Sequence, residues 1–193
     1  MKKSLIALAL LAATSAFAGG TGFVSYDYDR LNRGQGPLRY QQTVKTGVAF
    51  DTGLGTVDLA GIGRQLVGTA KDNNLGVEVG YGLKHKYMGA TLGARAAWTR
   101  VNLVDTHNRT FRGRSEYYTL GADLSAPLSS NTAAFVGYTH LSPLNGGTSR
   151  ANRTTLGLDL KLTSAMSARL GYAYTVQDGQ SLNGFTTAVS YDF

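Results

Sequence analysis

Apolar and polar residues alternate with a period of two along most of the chain, and helical spacing is scarce. Such alternation places successive side chains on opposite faces of a strand. The pattern predicts ten strands, over 22–31, 39–51, 56–67, 74–88, 90–103, 114–127, 133–142, 153–163, 167–176 and 183–193. In the eighth, Leu156, Leu158, Leu160 and Leu162 alternate with Gly157, Asp159 and Lys161. In the ninth, Leu170, Tyr172, Tyr174 and Val176 oppose Arg169, Gly171, Ala173 and Thr175. The second, fourth, fifth and sixth divide in the same way. Two segments are less regular. In the third, Gly61 and Gly63 disagree with Val57 and Leu59 over which parity faces in, which predicts a bulge or a displaced boundary. In the seventh, an inward Gly137 sends Val136, Tyr138 and His140 outward, but Phe135 and Leu141 then fall on the polar side. One miscounted hairpin would leave eight strands.

Many of these segments run ten residues or more, against the 5–6 or so usual in soluble domains. A tilted strand needs about 9–11 residues to cross a hydrocarbon layer. The connections alternate as well. Those after even-numbered strands are brief, such as Met88-Gly89 and Ser164-Ala165-Met166, whereas those after odd-numbered strands tend to be longer and more polar, such as 105–114 and 143–152. Short turns at one end and longer loops at the other are the layout of a transmembrane up-and-down β-barrel.

Alternation alone does not separate such a barrel from a soluble sandwich. Composition does. Glycines recur on the polar parity (Gly47, Gly80, Gly82, Gly93, Gly121, Gly157, Gly171), where a narrow lumen has a use for missing side chains and a solvated face has none. Aromatics sit near the ends of the apolar parity, including Phe50, Trp98, Tyr118, Tyr174 and Tyr191, as interfacial girdles do. A closed barrel also has no edge strands to protect.

The first residues carry an address. Met1-Lys2-Lys3 precedes an apolar run from Leu5 to Leu11 and an A-x-A site, Ala16-Phe17-Ala18. This predicts a cleaved export signal over 1–18 and a single barrel domain over 19–193. Removing Lys2 and Lys3 takes the formal net charge from +7 to +5. The absence of cysteine excludes disulfides and thiolate metal sites.

The last ten residues tie the pattern to a family. Phe185, Thr187, Val189, Tyr191 and Phe193 share one parity, and the chain stops on an aromatic. This resembles the closing strand of the small bacterial outer-membrane β-barrels and porin-like proteins. The resemblance implies insertion in the outer membrane, with Phe185, Val189, Tyr191 and Phe193 as the signal read by the barrel-assembly machinery. It specifies architecture, not activity.

The inward parity carries charges of both signs: Lys45, Glu78, Lys84, Arg95, Asp123, Asp159, Lys161 and Arg169, with Asp27 and Lys86 beside them. Either they pair and plug a narrow lumen, because unpaired burial is costly, or they line a small pore. Eight strands give an interior that side chains just fill, and ten lie close to that limit. The longer loops are basic, with Arg109, Arg112, Arg114, Arg150 and Arg153 in or beside them. Arginine grips phosphate through paired donors, so these residues are expected to contact lipopolysaccharide. Nucleic acid is a poor partner for an exported chain.

The remaining motifs make a poor enzyme. His140-Leu141-Ser142 resembles the His-x-Ser pair of the outer-membrane lipid A deacylases, but no Glu follows Glu116 to orient the histidine. Asp105-Thr106-His107 is the nearest match to the outer-membrane aspartyl proteases and lacks their paired acids. His85, His107 and His140 are too scattered for a metal site. Gly53-x-Gly55 opens no helix and is a turn. The expectation is therefore a non-enzymatic barrel without catalytic, cofactor or metal residues. It would serve membrane integrity or surface interaction through a narrow or plugged lumen. A passive diffusion porin, a surface adhesin and a lipid A-modifying enzyme are the alternatives. Oligomeric state is not legible.

Overall fold

The computed structural model describes residues 19–31, 39–67, 72–105, 110–144 and 150–193. The expected signal over 1–18 lies outside them, as do His107 and Arg109 and the side chain of Arg112. Ten strands form the wall: β1 (Gly20–Leu31), β2 (Arg39–Asp51), β3 (Thr56–Val67), β4 (Asp72–Tyr87), β5 (Ala90–Asp105), β6 (Thr110–Pro127), β7 (Thr132–Pro143), β8 (Ala151–Lys161), β9 (Met166–Gln177) and β10 (Gln180–Asp192). Each pairs antiparallel with its sequence neighbours, and β1 pairs with β10 to close the barrel. The count is ten, not eight.

Closure is continuous along β1 and β10, from Thr21 opposite Asp192 to Leu31 opposite Leu182. At the chain's end, Gly19 N donates to Phe193 O at 2.9 Å and Phe193 N donates to Gly20 O at 3.0 Å. The four brief turns and both ends of the barrel domain lie at one end of the wall, here the turn end. The Asp178-Gly179 turn lies at the opposite end, the loop end, where β1, β3, β5 and β7 also finish. Two hairpins turn on two residues in the left-handed region, Met88-Gly89 (φ 48° and 84°) and Asp178-Gly179 (φ 51° and 74°). This geometry matches the twist of the flanking strands and favours glycine second.

The two irregular segments resolve without any bulge. β3 pairs in unbroken register with β2 and β4. Asp58, Ala60 and Ile62 are buried toward the lumen, so Val57, Leu59, Gly61 and Gly63 all face outward. The apparent conflict arose because small residues occupy part of the outer face and Ile62 the inner one. In β7, Phe135 is buried inside on the same parity as Gly137, while Val136 and Tyr138 are exposed outside. Among the described residues the register shifts instead between Leu103 and Val104, where β6 carries an extra residue. The segment expected as a loop between Asp105 and Arg114 is largely strand, with Asp105 opposite Thr110.

The wall is inverted relative to a soluble protein. Leu156, Leu158, Leu170 and Tyr172 stand on the outside at 40–56% exposure, whereas Asp29, Asp58 and Glu78 are 3–7% exposed inside. Two of the outward tyrosines satisfy their hydroxyls within the wall, as a lipid-facing surface favours. Tyr138 donates to Asn152 Oδ1 at 2.7 Å and Tyr172 to Asn183 Oδ1 at 2.8 Å.

Candidate functional site

The lumen is where the ionisable residues meet, in three groups. The first joins β2 to β5. Arg95 donates through Nε to Asp58 Oδ2 at 3.0 Å and through Nη2 to Asp58 Oδ1 at 2.5 Å and Glu78 Oε1 at 2.6 Å. Lys45 also pairs with Glu78, and Thr99 donates to its other oxygen at 2.9 Å. Burying these carboxylates is tolerable only because each is paired and hydrogen-bonded. Glycine makes the room. A Cβ at Gly80 would fall on the Arg95 guanidinium and the Asp58 carboxylate, and one at Gly93 would fall on Asp123.

The second group joins β6, β8 and β9. Arg169 grips Asp159 with paired donors, Nε to Oδ1 at 2.6 Å and Nη2 to Oδ2 at 2.9 Å. Its guanidinium lies 4.1 Å from the centre of the Phe135 ring. Asp123 is held more loosely, 3.9 Å from Arg169 Nη2.

The third group reaches across the interior. Arg153 of β8 donates through Nη1 to both oxygens of Asp29, at 3.0 and 2.9 Å, and through Nη2 to Asp27 at 2.9 Å. Two strands, β9 and β10, separate β8 from β1. Arg64 of β3 lies within electrostatic reach of Asp27, Asp29 and Arg153, and Tyr117 of β6 within reach of Arg64. Arg64 Nε and its cross-strand neighbour Asn74 Oδ1 are buried with no hydrogen-bond partner, which is where an interior water would be expected.

The first two groups border a cavity of about 860 Å³ that reaches the turn end, where Ser129–Thr132 and Thr163–Met166 form part of its rim. Lys45, Lys84, Arg95, Asp123, Asp159, Lys161 and Arg169 line it. Glu78 lies in the wall behind Lys45 and Arg95. All eight expected inward residues are thus inside or at the inner rim. Asp27, Asp29, Arg64 and Arg153 are not among the lining residues of this cavity.

Arg153 is a correction to the sequence reading. Expected as a loop contact for anions, it points inward and is taken up by Asp27 and Asp29. It lies three residues into β8, on the same parity as Asp159. Of the other loop arginines, Arg114 pairs with Glu116 at 2.8 Å. Arg150 is exposed at the loop end, where its backbone N–H donates to Asp178 Oδ1 at 3.0 Å. Sequence reasoning also missed Asp29, Asp58, Thr99 and Arg64. For Asp58 and Arg64 the only available signal was the parity of β3, which the outward glycines hid.

His140 faces outward on β7 and donates from Nδ1 to Asn152 Oδ1 at 2.8 Å. An amide therefore stands where a hydrolase would hold an acid, and it can orient the ring without balancing a developing imidazolium charge. No hydrogen bond joins His140 to Ser142 among the described residues. No group of His, Asp and Glu among those residues could hold a metal ion.

On β10, Phe185, Val189 and Tyr191 face outward at 46–63% exposure. Phe185 packs edge-on against Tyr172 at 5.9 Å, and the Phe193 ring covers Gly20, where a Cβ would meet it at 3.0 Å.

No family model matches the sequence, and no curated protein does. Among solved structures, the chain is similar to the translocator domain of the autotransporter NalP from Neisseria meningitidis, at 13% identity and a TM-score of 0.56, over 100% of this chain and 96% of that one. It is also similar to the β-domain of the Bordetella autotransporter BrkA, at 12% identity and a TM-score of 0.57, over 92% of this chain and 100% of that one. At these identities the likeness is one of fold. Together with the closed ten-stranded wall and its apolar exterior, it gives the chain the architecture of the small bacterial outer-membrane β-barrels.

Proposed function

We propose that this chain is a non-enzymatic barrel of the bacterial outer membrane whose lumen is closed to solutes near the loop end. In this reading it serves membrane integrity and surface contact, not transport. The observation that carries the reading is Arg153, which holds Asp27 and Asp29 from across two intervening strands, with Arg64 of β3 close enough to act on the same acids. Moving that guanidinium aside would leave two carboxylates without their principal partner, so the closed state resists thermal opening. Export through a cleaved signal over 1–18 and folding by the barrel-assembly machinery belong to the same reading.

At the loop end, Arg114 and Arg150 supply exposed guanidinium groups for lipopolysaccharide phosphates, and Arg109 and Arg112, which lie outside the described side chains, are assigned to the same contact. Arg114 is shared with Glu116 and would have to exchange that partner for phosphate. The R114S/R150S double variant is expected to weaken lipopolysaccharide binding in detergent, and unchanged binding would refute the contact. Proteoliposomes carrying the folded barrel are expected not to swell in isotonic arabinose. Swelling at the rate of a general porin would replace this reading with that of a diffusion pore, which the wide turn-end cavity favours.

A further inference from the structure

The turn-end cavity is unbalanced in what it has left to offer a guest. Its acids are mostly engaged: Asp58 accepts two hydrogen bonds from Arg95, and Asp159 accepts two from Arg169 and a longer one from Ser125. Its cations Lys45, Arg95 and Arg169 are paired as well, but the two arginines keep donors in reserve. Arg95 uses Nε and Nη2, and Arg169 uses the same two atoms, so the Nη1 donors of both are spare among the described residues. Lys84 and Lys161 line the cavity, are exposed, and form no ion pair among the described residues.

These donors do not share one wall. Arg95 stands on β5 and Arg169 on β9, while Lys84 stands on β4 and Lys161 on β8. Each pair is four strands apart in a ring of ten, so its members face each other across the space. A guest that satisfies both sides needs acceptor oxygens at more than one end. The volume of about 860 Å³ falls within the range of small-molecule sites.

We propose that this cavity binds a small polyvalent oxyanion, entering from the turn end, with Lys84 and Lys161 drawing it in and the spare Nη1 donors of Arg95 and Arg169 holding it. The loosely held Asp123 suits a hydroxyl on the same guest. Bidentate guanidinium groups fixed by their own carboxylates are preorganised for oxygen acceptors. Binding here does not require that anything cross the lumen, so it stands or falls separately from the closed-lumen reading.

Isothermal titration of the refolded barrel in micelles with citrate and with pyrophosphate tests the site. At least one of the two is expected to bind, more weakly as salt rises. The K84Q/K161Q variant, which removes no wall pairing, is expected to bind that anion about tenfold more weakly, as loss of two partly solvated charge contacts implies. The R150S variant, altered at the opposite end, should bind like the wild type. Bound anion should also slow acetylation of Lys84 and Lys161, but not of Lys86. Binding of citrate alone marks carboxylate as the preferred chemistry, and binding of pyrophosphate alone marks phosphate. No binding of either by the folded wild type, or equal binding by K84Q/K161Q, overturns the proposal.

Discussion

Glu78 shows how one residue organises the interior. It accepts from Lys45, Arg95 and Thr99 at once, so its removal leaves Lys45 with no ion-pair partner among the described residues and Arg95 with Asp58 alone. Glu78→Ala is expected to cost about 3–5 kcal/mol, the usual loss when one partner of a buried pair is deleted. Urea unfolding of the refolded barrel in micelles measures it, and a loss under about 1 kcal/mol would contradict the arrangement. His140 gives the opposite expectation. With Asn152 as its partner and no bond to Ser142, His140→Ala should leave lipid A unaltered by mass spectrometry, and any processing that disappears with the histidine would restore the enzyme reading. Residue placement was legible where the strand was regular: Lys45, Glu78, Arg95, Asp123, Asp159 and Arg169 all lie on the inward parity. Asp58 and Arg64 were hidden because β3 turns glycines outward. Arg153 was misassigned because it follows a polar loop in sequence, yet by position it already belongs to β8.

Strands were the most legible level, because period two and turn residues reinforce each other. The hairpin of β5 and β6 was underestimated for a physical reason. Its tip is polar, and polar residues beyond the membrane can continue a ladder without any apolar face to announce it. The outward face makes a direct demand on β8. Leu158→Lys should destabilise the barrel by about 2–4 kcal/mol if the residue sits near the bilayer midplane. Ser25→Lys, inside the cavity, should cost far less, and equal losses in the two variants would mean that the faces are misassigned. β10 makes another. Phe193 exchanges backbone hydrogen bonds with Gly19 and Gly20 across the seam, so its deletion should lower the amount of folded, heat-modifiable barrel in the membrane. Unchanged amounts would remove the last strand from its role in assembly.

At the scale of the whole molecule, the closed barrel followed from strand length, loop alternation and inward glycines. The state of the lumen did not, because it depends on which charges meet across the interior and at what level. Parity assigns a side chain to a face but carries no information about its partner several strands away. The ion-pair layer built on Arg153 is the feature on which the closed-lumen account rests. Single-channel recording in planar bilayers tests it most directly. The wild type is expected to be electrically silent, while Arg153→Ser, which frees Asp27 and Asp29, should give resolvable conductance steps. Steady wild-type conductance of the same size as in Arg153→Ser would contradict the account.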